Sequence, residues 1–253
     1  MLIPRVIPCL LLKGTGLVKT QRFADPKYVG DIINAVKIFN DKEVDEIIIL
    51  DIETHAGRGR IQWDLVTKTA SEAFMPMCYG GGVTTIDEIK RLFRAGIEKV
   101  SINTAAHEDH RFLESASRAF GSQSIVAGID VKKNFLGRYV VMSHGGEKKQ
   151  PKDVVDWAKA VERAGAGEIL LNSIDRDGMQ SGYDLELVKQ VANAVKIPVI
   201  ACGGAGKVQH FAEAITSGAS AVAAGSLFVF RGQHRAVLIT YPERAELVRV
   251  LGR

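Results

Sequence analysis

Val100-Ser101-Ile102-Asn103-Thr104 is a short apolar run that closes with two polar residues. The same pattern returns 122 residues later as Val222-Ala223-Ala224-Gly225-Ser226. The same offset relates the apolar runs that begin at Glu46 and Glu168, and the glycine-rich turns around residues 82 and 204. Three matches at one offset predict an internal repeat. The two halves would cover about residues 1–121 and 122–253.

Short β-branched runs alternate with amphipathic stretches along the chain of 253 residues. Several runs are continuously apolar, which is typical of parallel strands that are buried on both faces. Eight strand–helix pairs predict an α/β fold, a single-domain (β/α)8 TIM barrel that covers residues 1–253. A doubly wound open sheet is the alternative, although it usually has fewer strands in one domain.

The bounds of the predicted elements follow from these patterns and from glycines that stop helices. The strands are predicted at Val6–Leu12, Glu46–Asp51, Met77–Tyr79, Lys99–Ile102, Ile125–Asp130, Glu168–Asn172, Pro198–Ala201 and Ala221–Ala224. The helices are predicted at Ile32–Asn40, Trp63–Ala73, Thr85–Ala95, Glu108–Phe120, Lys152–Ala164, Asp184–Ala194, Val208–Ser217 and Pro242–Leu251. The segment Val131–Gln150 interrupts the alternation and is predicted to form an inserted hairpin.

Composition and charge narrow the class of protein. The chain is 46% hydrophobic and 25% charged, which indicates a folded domain and not a disordered chain. Its net charge is +4 and no long run of like charges occurs, so we expect no nucleic-acid partner. Three cysteines indicate reduced thiols and a cytoplasmic location. No stretch is long and apolar enough to predict a membrane span, and no Cys/His spacing predicts a metal. We expect no cofactor.

Loops that follow strands three, four, seven and eight carry the residues that suit an anion. Glycine lets backbone N–H groups approach a phosphate closely, and Ser and Thr hydroxyls add donors. Because the pattern is duplicated, it predicts two phosphate cradles and an elongated ligand with a phosphate at each end. Taken singly, the same glycines would be plain turn residues. The cradle residues are Gly82, Asn103, Thr104, Gly204, Gly225 and Ser226.

Acids at the ends of apolar strands are candidates for proton transfer, because burying a carboxylate costs free energy unless it has a partner or a task. Asp130 is the strongest candidate, with a loop or helix-cap role as the alternative. Asp51 ends the second strand. Asp175 and Asp177 form either a salt-bridged turn or a ligand contact. By the half-barrel symmetry the first strand should carry a counterpart of Asp130, but it ends in Leu10-Leu11-Leu12.

Four charged residues stand at the starts of strands one, two, four and six. A barrel places such side chains together at the bottom of its bore. They are either solvated strand-entry charges or a closed ionic ring that acts as a gate, since buried ion pairs are seldom kept for stability alone. These residues are Arg5, Glu46, Lys99 and Glu168.

Along nearly its whole length the chain resembles the cyclase subunit of imidazole glycerol phosphate synthase. The most specific matching blocks are Lys99–Ala106 and Ile174–Asp184, and Val18-Lys19 also matches. The resemblance implies a barrel that pairs with a glutaminase as a heterodimer. Ammonia released at the bottom passes through the bore to a phosphorylated small molecule at the top, where aspartates on strands one and five do acid–base work.

The resemblance also implies roles for individual residues. Asp130 would be the acid on the fifth strand. The ring of Arg5, Glu46, Lys99 and Glu168 would be the ammonia gate. The two phosphate sites would be lined by Gly82, Asn103, Thr104, Asp177, Gly178, Gly204, Gly225 and Ser226.

Leu11 stands where the family pattern has the aspartate of the first strand. This departure resembles a paralogous branch that occurs with bacterial surface-polysaccharide genes, as do the segments Leu10–Lys13, Gly30–Ala35 and Gly225–Phe230. There, ammonia is thought to reach a sugar amidotransferase that makes an acetamidino group. The first hypothesis is therefore an ammonia-conducting barrel subunit of a glutamine-dependent amidotransferase complex. The alternatives are a working cyclase in histidine biosynthesis, with Asp51 or a water replacing the lost acid, and a non-catalytic scaffold that binds phosphorylated ligands. Whether the chain is itself an enzyme stays open.

Overall fold

Eight parallel strands close into a barrel in the computed structural model, which describes residues 3–54, 59–232 and 234–252. Each strand is hydrogen-bonded to the next in chain order, and the eighth pairs with the first through Arg5 and Ala221. We number these barrel strands one to eight. They are Arg5–Lys13, Ile47–Asp51, Met77–Gly80, Lys99–Ile102, Ile125–Lys133, Glu168–Ser173, Val199–Cys202 and Ala221–Ala224.

This closed barrel confirms the predicted (β/α)8 fold and excludes the open sheet. All eight predicted strands are present, with ends that differ by a few residues. Strand five differs most, because it runs on to Lys133 and pairs there with the antiparallel strand Tyr139–Ser143. That pairing, followed by Lys148–Lys149, forms the inserted hairpin that the sequence predicted.

An outer layer of helices covers the barrel. Several begin at side chains that cap the first turn, such as Thr85, which forms a reciprocal capping box with Glu88. None of the helices in the described part of the chain is long and apolar enough to cross a membrane. The helices of this layer are Ile32–Asp41, Trp63–Glu72, Ile86–Arg94, His110–Phe120, Val154–Arg163, Leu185–Ala192, Gln209–Thr216 and Arg244–Leu251.

One predicted helix is wrong in its extent. The expected helix Glu108–Phe120 is two helices, Thr104–Glu108 and His110–Phe120. Asp109 separates them because its backbone is extended, and its side chain caps the second helix by accepting a hydrogen bond from the backbone N–H of Arg111. The short first helix matters because it begins at the end of strand four.

Several elements at the same end of the barrel were not predicted. The antiparallel strands Gly16–Gln21 and Ala24–Asp31 form a hairpin that pairs with strand one. The short helix Ser226–Val229 follows strand eight, and a small hairpin pairs Phe230–Arg231 with Ala236–Val237. The sequence does not predict the first hairpin, because its polar residues interrupt the apolar pattern that is typical of strands.

The bore of the barrel has its own core, separate from the core between strands and helices. Side chains two residues apart on a strand face the same way, so Arg5, Ile7, Cys9 and Leu11 line the bore from bottom to top. All three cysteines are free, buried and part of this inner core. Its members are Ile7, Cys9, Ile48, Cys78, Val126, Leu170, Ile200, Cys202, Ala221 and Ala223.

Candidate functional site

A cavity of about 280 Å³ opens at the carboxyl ends of the barrel strands. This is the end at which barrels of this fold carry their functional loops. Leu11 and Asp130 line it, together with every residue predicted to form the two phosphate cradles. Those cradle residues are Gly82, Asn103, Thr104, Asp177, Gly178, Gly204, Gly225 and Ser226.

The first half of the barrel contributes Asn103 and Thr104 to this cavity. Thr104 begins the short helix after strand four, and Asn103 lies at the helix start. The Thr104 hydroxyl oxygen accepts a 3.0 Å hydrogen bond from the backbone N–H of His144, which leaves the hydroxyl hydrogen for another acceptor. The buried carbonyl oxygen of the Asn103 side chain has no hydrogen-bond partner in the part of the chain that the structure describes.

The second half presents the matching geometry through Gly204 and Ser226. Gly204 has a φ of +117°, and a Cβ there would lie 2.2 Å from the backbone oxygen of Gly182, so no larger residue fits this turn. Ser226 begins the short helix after strand eight. Its hydroxyl oxygen is buried and has no hydrogen-bond partner among the described residues. A buried hydroxyl of this kind can form a hydrogen bond with a ligand oxygen.

Lys19 is a site residue that sequence reasoning assigned no role. It lies on the unpredicted hairpin and lines the cavity, and a Cβ at Gly225 would lie 2.5 Å from its Cε. Its Nζ lies 3.4 Å from Asp177 Oδ1, while the Thr20 hydroxyl donates a 2.7 Å hydrogen bond to Asp177 Oδ2. Burial is the largest influence and lowers the pKa of Lys19, but the Asp177 carboxylate and the thiols of Cys9 and Cys202 together outweigh it, so the pKa is raised. The only sequence signal was the match of Val18-Lys19 to the resembled family.

The two acids of the turn from Asp175 to Asp177 have different partners. Asp175 accepts a 2.7 Å hydrogen bond from the backbone N–H of Lys133, which ties the turn to the inserted hairpin. Asp177 instead lines the cavity, where it pairs with Lys19. We therefore expect Asp177 to be the acid of this turn that affects a ligand, because its carboxylate stabilises the positive charge of Lys19.

Asp130 lies on strand five and faces the cavity. The Asn103 side chain donates a 2.8 Å hydrogen bond to Asp130 Oδ2. Burial raises the pKa of Asp130 to about 7, and the negative charge of Asp177 adds to that rise. Hydrogen bonds from Asn103 and Asn172 oppose it. Asp130 is therefore poised to gain or lose a proton near neutral pH, as a general acid or base must.

No second acid occupies the position of Leu11. Leu11 is 8% exposed and pairs in register with Leu50 on strand two and Val18 on the hairpin. Strands one and five lie on opposite sides of the barrel, so Leu11 and Asp130 face one cavity from opposite walls. A leucine cannot transfer a proton, so Leu11 supplies no acid–base group to the cavity.

Asp51, the alternative acid, is held by the turn that follows strand two. It ends strand two and lines the cavity, but its Oδ1 accepts hydrogen bonds from the backbone N–H groups of Glu53, at 3.0 Å, and Thr54, at 3.3 Å. Its other oxygen accepts a 3.5 Å hydrogen bond from the Tyr79 hydroxyl. The carboxylate thus holds the turn after strand two. Burial raises its pKa, partly offset by these backbone bonds.

At the opposite end of the bore, the four predicted strand-entry charges form one closed ring. Arg5 donates to both Glu46 and Glu168. Lys99 Nζ lies 3.0 Å from Glu46 Oε2 and 2.8 Å from Glu168 Oε2. Each cation thus bridges both carboxylates and each carboxylate bridges both cations. The alternative of separate, solvated charges is wrong, since Glu46 and Glu168 are buried.

The bore between the ring and the cavity is lined by apolar side chains and thiols. Near the cavity, the thiol of Cys202 donates a hydrogen bond to Cys9, which lowers the pKa of Cys9. The described side chains of this inner core are aliphatic groups and thiols, and the buried hydroxyl residue Ser101 lies where the bore meets the cavity. A neutral small molecule would therefore be favoured over an ion in this part of the barrel.

Comparison with known proteins relates the chain to one family. The family model described as histidine biosynthesis protein matches residues 5–235. A Pseudomonas aeruginosa protein, provisionally named imidazole glycerol phosphate synthase subunit hisF2, is 53% identical over 240 residues, covering 94% of this chain and 96% of that protein. The Alkaliphilus metalliredigens imidazole glycerol phosphate synthase subunit HisF is 45% identical over 229 residues, covering 90% and 91%.

Proposed function

The chain belongs to the histidine biosynthesis protein family as a HisF-like subunit, and from this premise we propose that it conducts ammonia to an acceptor reaction without catalysing the cyclase reaction itself. The observation that supports the proposal most strongly is the contrast between the two ends of the barrel. The ring of four ion pairs is complete, whereas Leu11 fills the place of one of two acids. The ammonia path is kept and the cyclase chemistry is lost.

The ring supports the conduction part of the proposal. A closed set of ion pairs at the bottom of an apolar bore blocks water and ions but opens when one side chain turns aside. Buried ion pairs contribute little net stability, so their presence favours a role beyond folding. A glutaminase subunit bound over Arg5, Glu46, Lys99 and Glu168 would release ammonia directly at this gate, forming a heterodimer with the barrel.

The absence of a second acid at Leu11 supports the other part. Removing a general acid or base typically costs about 10²–10⁴-fold in rate. Asp130 alone, with a pKa of about 7, still supplies one proton-transferring group. One group cannot protonate one flank of a ligand and deprotonate the opposite flank. Cyclase turnover in histidine biosynthesis would therefore be poor.

The cavity supports binding of a phosphorylated small molecule. Asn103, Thr104 and Ser226 present polar atoms that can still donate or accept a hydrogen bond, and Lys19 adds a positive charge. The duplicated glycine turns allow backbone N–H groups to approach phosphate oxygens. Binding of such a ligand would signal that the cavity is occupied. It would also close the exit of the bore around the acceptor.

The proposed acceptor reaction is sugar amidination in the synthesis of a bacterial surface polysaccharide, in the cytoplasm. A separate sugar amidotransferase would carry out that step. Its support is the sequence departure at Leu11 together with the segments that resemble the paralogous branch. This acceptor is chemically consistent with the bore, because amidination consumes ammonia as a neutral nucleophile.

Reconstitution tests this function. The barrel, its glutaminase and the sugar amidotransferase are mixed with glutamine, and amidated sugar is measured; a parallel reaction receives ammonium chloride. We expect glutamine to support product only when the barrel is present, and ammonium to support it without the barrel. If the barrel can be omitted from the glutamine reaction, the proposal fails. Tight bisphosphate binding without glutaminase stimulation would favour the scaffold alternative.

A further inference from the structure

Exposed apolar side chains are concentrated at the cavity end of the barrel. Nine large hydrophobic residues are exposed in the described part of the chain, and six of them lie on loops that follow barrel strands. Phe135, at the tip of the inserted hairpin, is 95% exposed, and Tyr28 is 68% exposed. Exposed apolar groups that cluster around one opening mark interaction sites. The six are Tyr28, Phe135, Leu136, Met179, Val237 and Leu238.

The segments that carry these residues form one connected surface, which we call the mouth rim: residues 13–31, 131–150, 173–183 and 226–240, the last without residue 233, which lies outside the described residues. The backbone N–H of Arg22 donates a 2.9 Å hydrogen bond to Asp177 O, and Arg235 Nη1 donates a 3.2 Å bond to Gly178 O. A Cβ at Gly146 would lie 3.0 Å from the ring of Phe23. The four segments thus brace one another around the cavity.

The mouth rim is strongly basic. Nine of its Lys and Arg residues are exposed, against three exposed Asp and Glu residues. This surplus of six charges exceeds the net charge of +4 of the whole chain. The exposed cations are Lys13, Arg22, Lys27, Lys132, Lys133, Arg138, Lys148, Lys149 and Arg231.

We propose that the mouth rim docks the ammonia-consuming enzyme through an acidic surface of that protein, so that ammonia passes from bore to acceptor without entering bulk solvent. This inference rests on the proposed function. Apolar anchors surrounded by charges have the composition of a protein interface. A small ligand inside the cavity would not contact Phe135 or Leu136, which face solvent at the hairpin tip. The glutaminase would occupy the opposite end of the barrel, leaving the rim available.

A second copy of the chain is the less favourable occupant. A symmetric dimer through the mouth rim would bring the same basic patch against itself, and like charges facing each other across an interface cost several kcal/mol. An acidic partner gains attraction from the same charges and is steered toward the opening. Charge complementarity therefore selects a different protein.

The test uses the purified complex of barrel and glutaminase with the sugar amidotransferase as the probe. The rim variant combines Lys132→Glu, Lys148→Glu and Phe135→Ser. The matched control combines Lys68→Glu and Lys90→Glu, which reverse two exposed charges on outer helices. Binding is measured by analytical ultracentrifugation at two salt concentrations. We expect the rim variant to bind at least about tenfold more weakly, and added salt to weaken the native complex.

Further measurements separate the possible outcomes. Glutaminase binding and thermal unfolding should be the same in the rim and control variants, which shows that the rim variant is folded. Rim-variant affinity equal to that of the control would overturn the docking inference, even if the barrel is required for glutamine-dependent transfer. Loss of self-association in place of enzyme binding would identify a second copy as the occupant and also overturn it. A dispensable barrel in the reconstitution would instead contradict the proposed function.

Discussion

Asn103 and Asp130 are joined by a 2.8 Å hydrogen bond between Asn103 Nδ2 and Asp130 Oδ2. The bond connects a predicted phosphate residue, at the end of strand four, to the candidate acid on strand five. It also stabilises the ionised carboxylate and therefore lowers the pKa of Asp130, whereas burial and the charge of Asp177 raise it. We therefore expect the proton affinity of Asp130 to change when a ligand binds at Asn103.

Substituting the two neighbours of Asp130 should shift its pKa in opposite directions. Asn103→Ala removes a hydrogen bond to the ionised form and should raise the pKa above about 7. Asp177→Asn removes a negative charge and should lower it. The carboxyl ¹³C resonance of Asp130, followed by NMR against pH, measures both. Shifts of the same sign would show that the two groups do not act as described.

Asp130→Asn should change how stability depends on pH. The folded-state pKa of Asp130 lies above its unfolded value, so this group favours folding at low pH and loses that contribution as pH rises through about 7. Relative to the native chain, Asp130→Asn should gain about 1–3 kcal/mol of unfolding free energy between pH 5 and pH 8. Urea unfolding at the two pH values measures this gain. An equal effect at both would mean that Asp130 titrates normally.

Lys99→Met should open the ionic ring. Glu46 and Glu168 would keep only Arg5 as a shared partner, which should cost about 2 kcal/mol of stability because two buried carboxylates lose a cation. Ammonia should also leak, so glutamine hydrolysis would exceed amidated product. Lys99→Arg is the control that keeps the charge. Unchanged coupling between hydrolysis and product in Lys99→Met would count against the gate.

Leu11→Asp should create the missing acid opposite Asp130. We expect ammonium-driven cyclase turnover to rise from a low background, by up to about 10²–10⁴-fold. The buried carboxylate should also lower stability by about 1–3 kcal/mol. Leu11→Asn matches the size and polarity without a titratable proton and should stay inactive. Equal turnover in the Asp and Asn variants would show that acid–base chemistry at this position is not the limiting feature.

The barrel could be predicted from the sequence because the patterns that specify its strands are local and occur in both halves of the chain. Each apolar run specifies a strand, and the offset that relates Glu46 to Glu168 and Asn103 to Gly225 places residues at equivalent points of the two halves. The ring partners could be identified because Arg5, Glu46, Lys99 and Glu168 all stand at strand starts. Any closed barrel brings such positions to one end.

Other parts of the site depend on contacts between residues far apart in sequence. Lys19 lies on a hairpin whose apolar pattern is interrupted, and its role follows from pairing with Asp177, 158 residues away. The commitment of Asp51 to the turn after strand two depends on backbone geometry that composition does not encode. The break of the predicted helix at Asp109 likewise depends on a capping contact, which the apolar pattern of the sequence does not specify.

Ammonia conduction without cyclase activity is tested most directly when the glutaminase–barrel complex receives glutamine labelled with ¹⁵N in its amide. The mixture also contains the family's bisphosphate cyclase substrate, the acceptor sugar and the sugar amidotransferase. We expect the label to enter the amidated sugar and to be absent from imidazole glycerol phosphate. Label in imidazole glycerol phosphate, at a rate comparable to that of a two-aspartate cyclase, would contradict the proposed function.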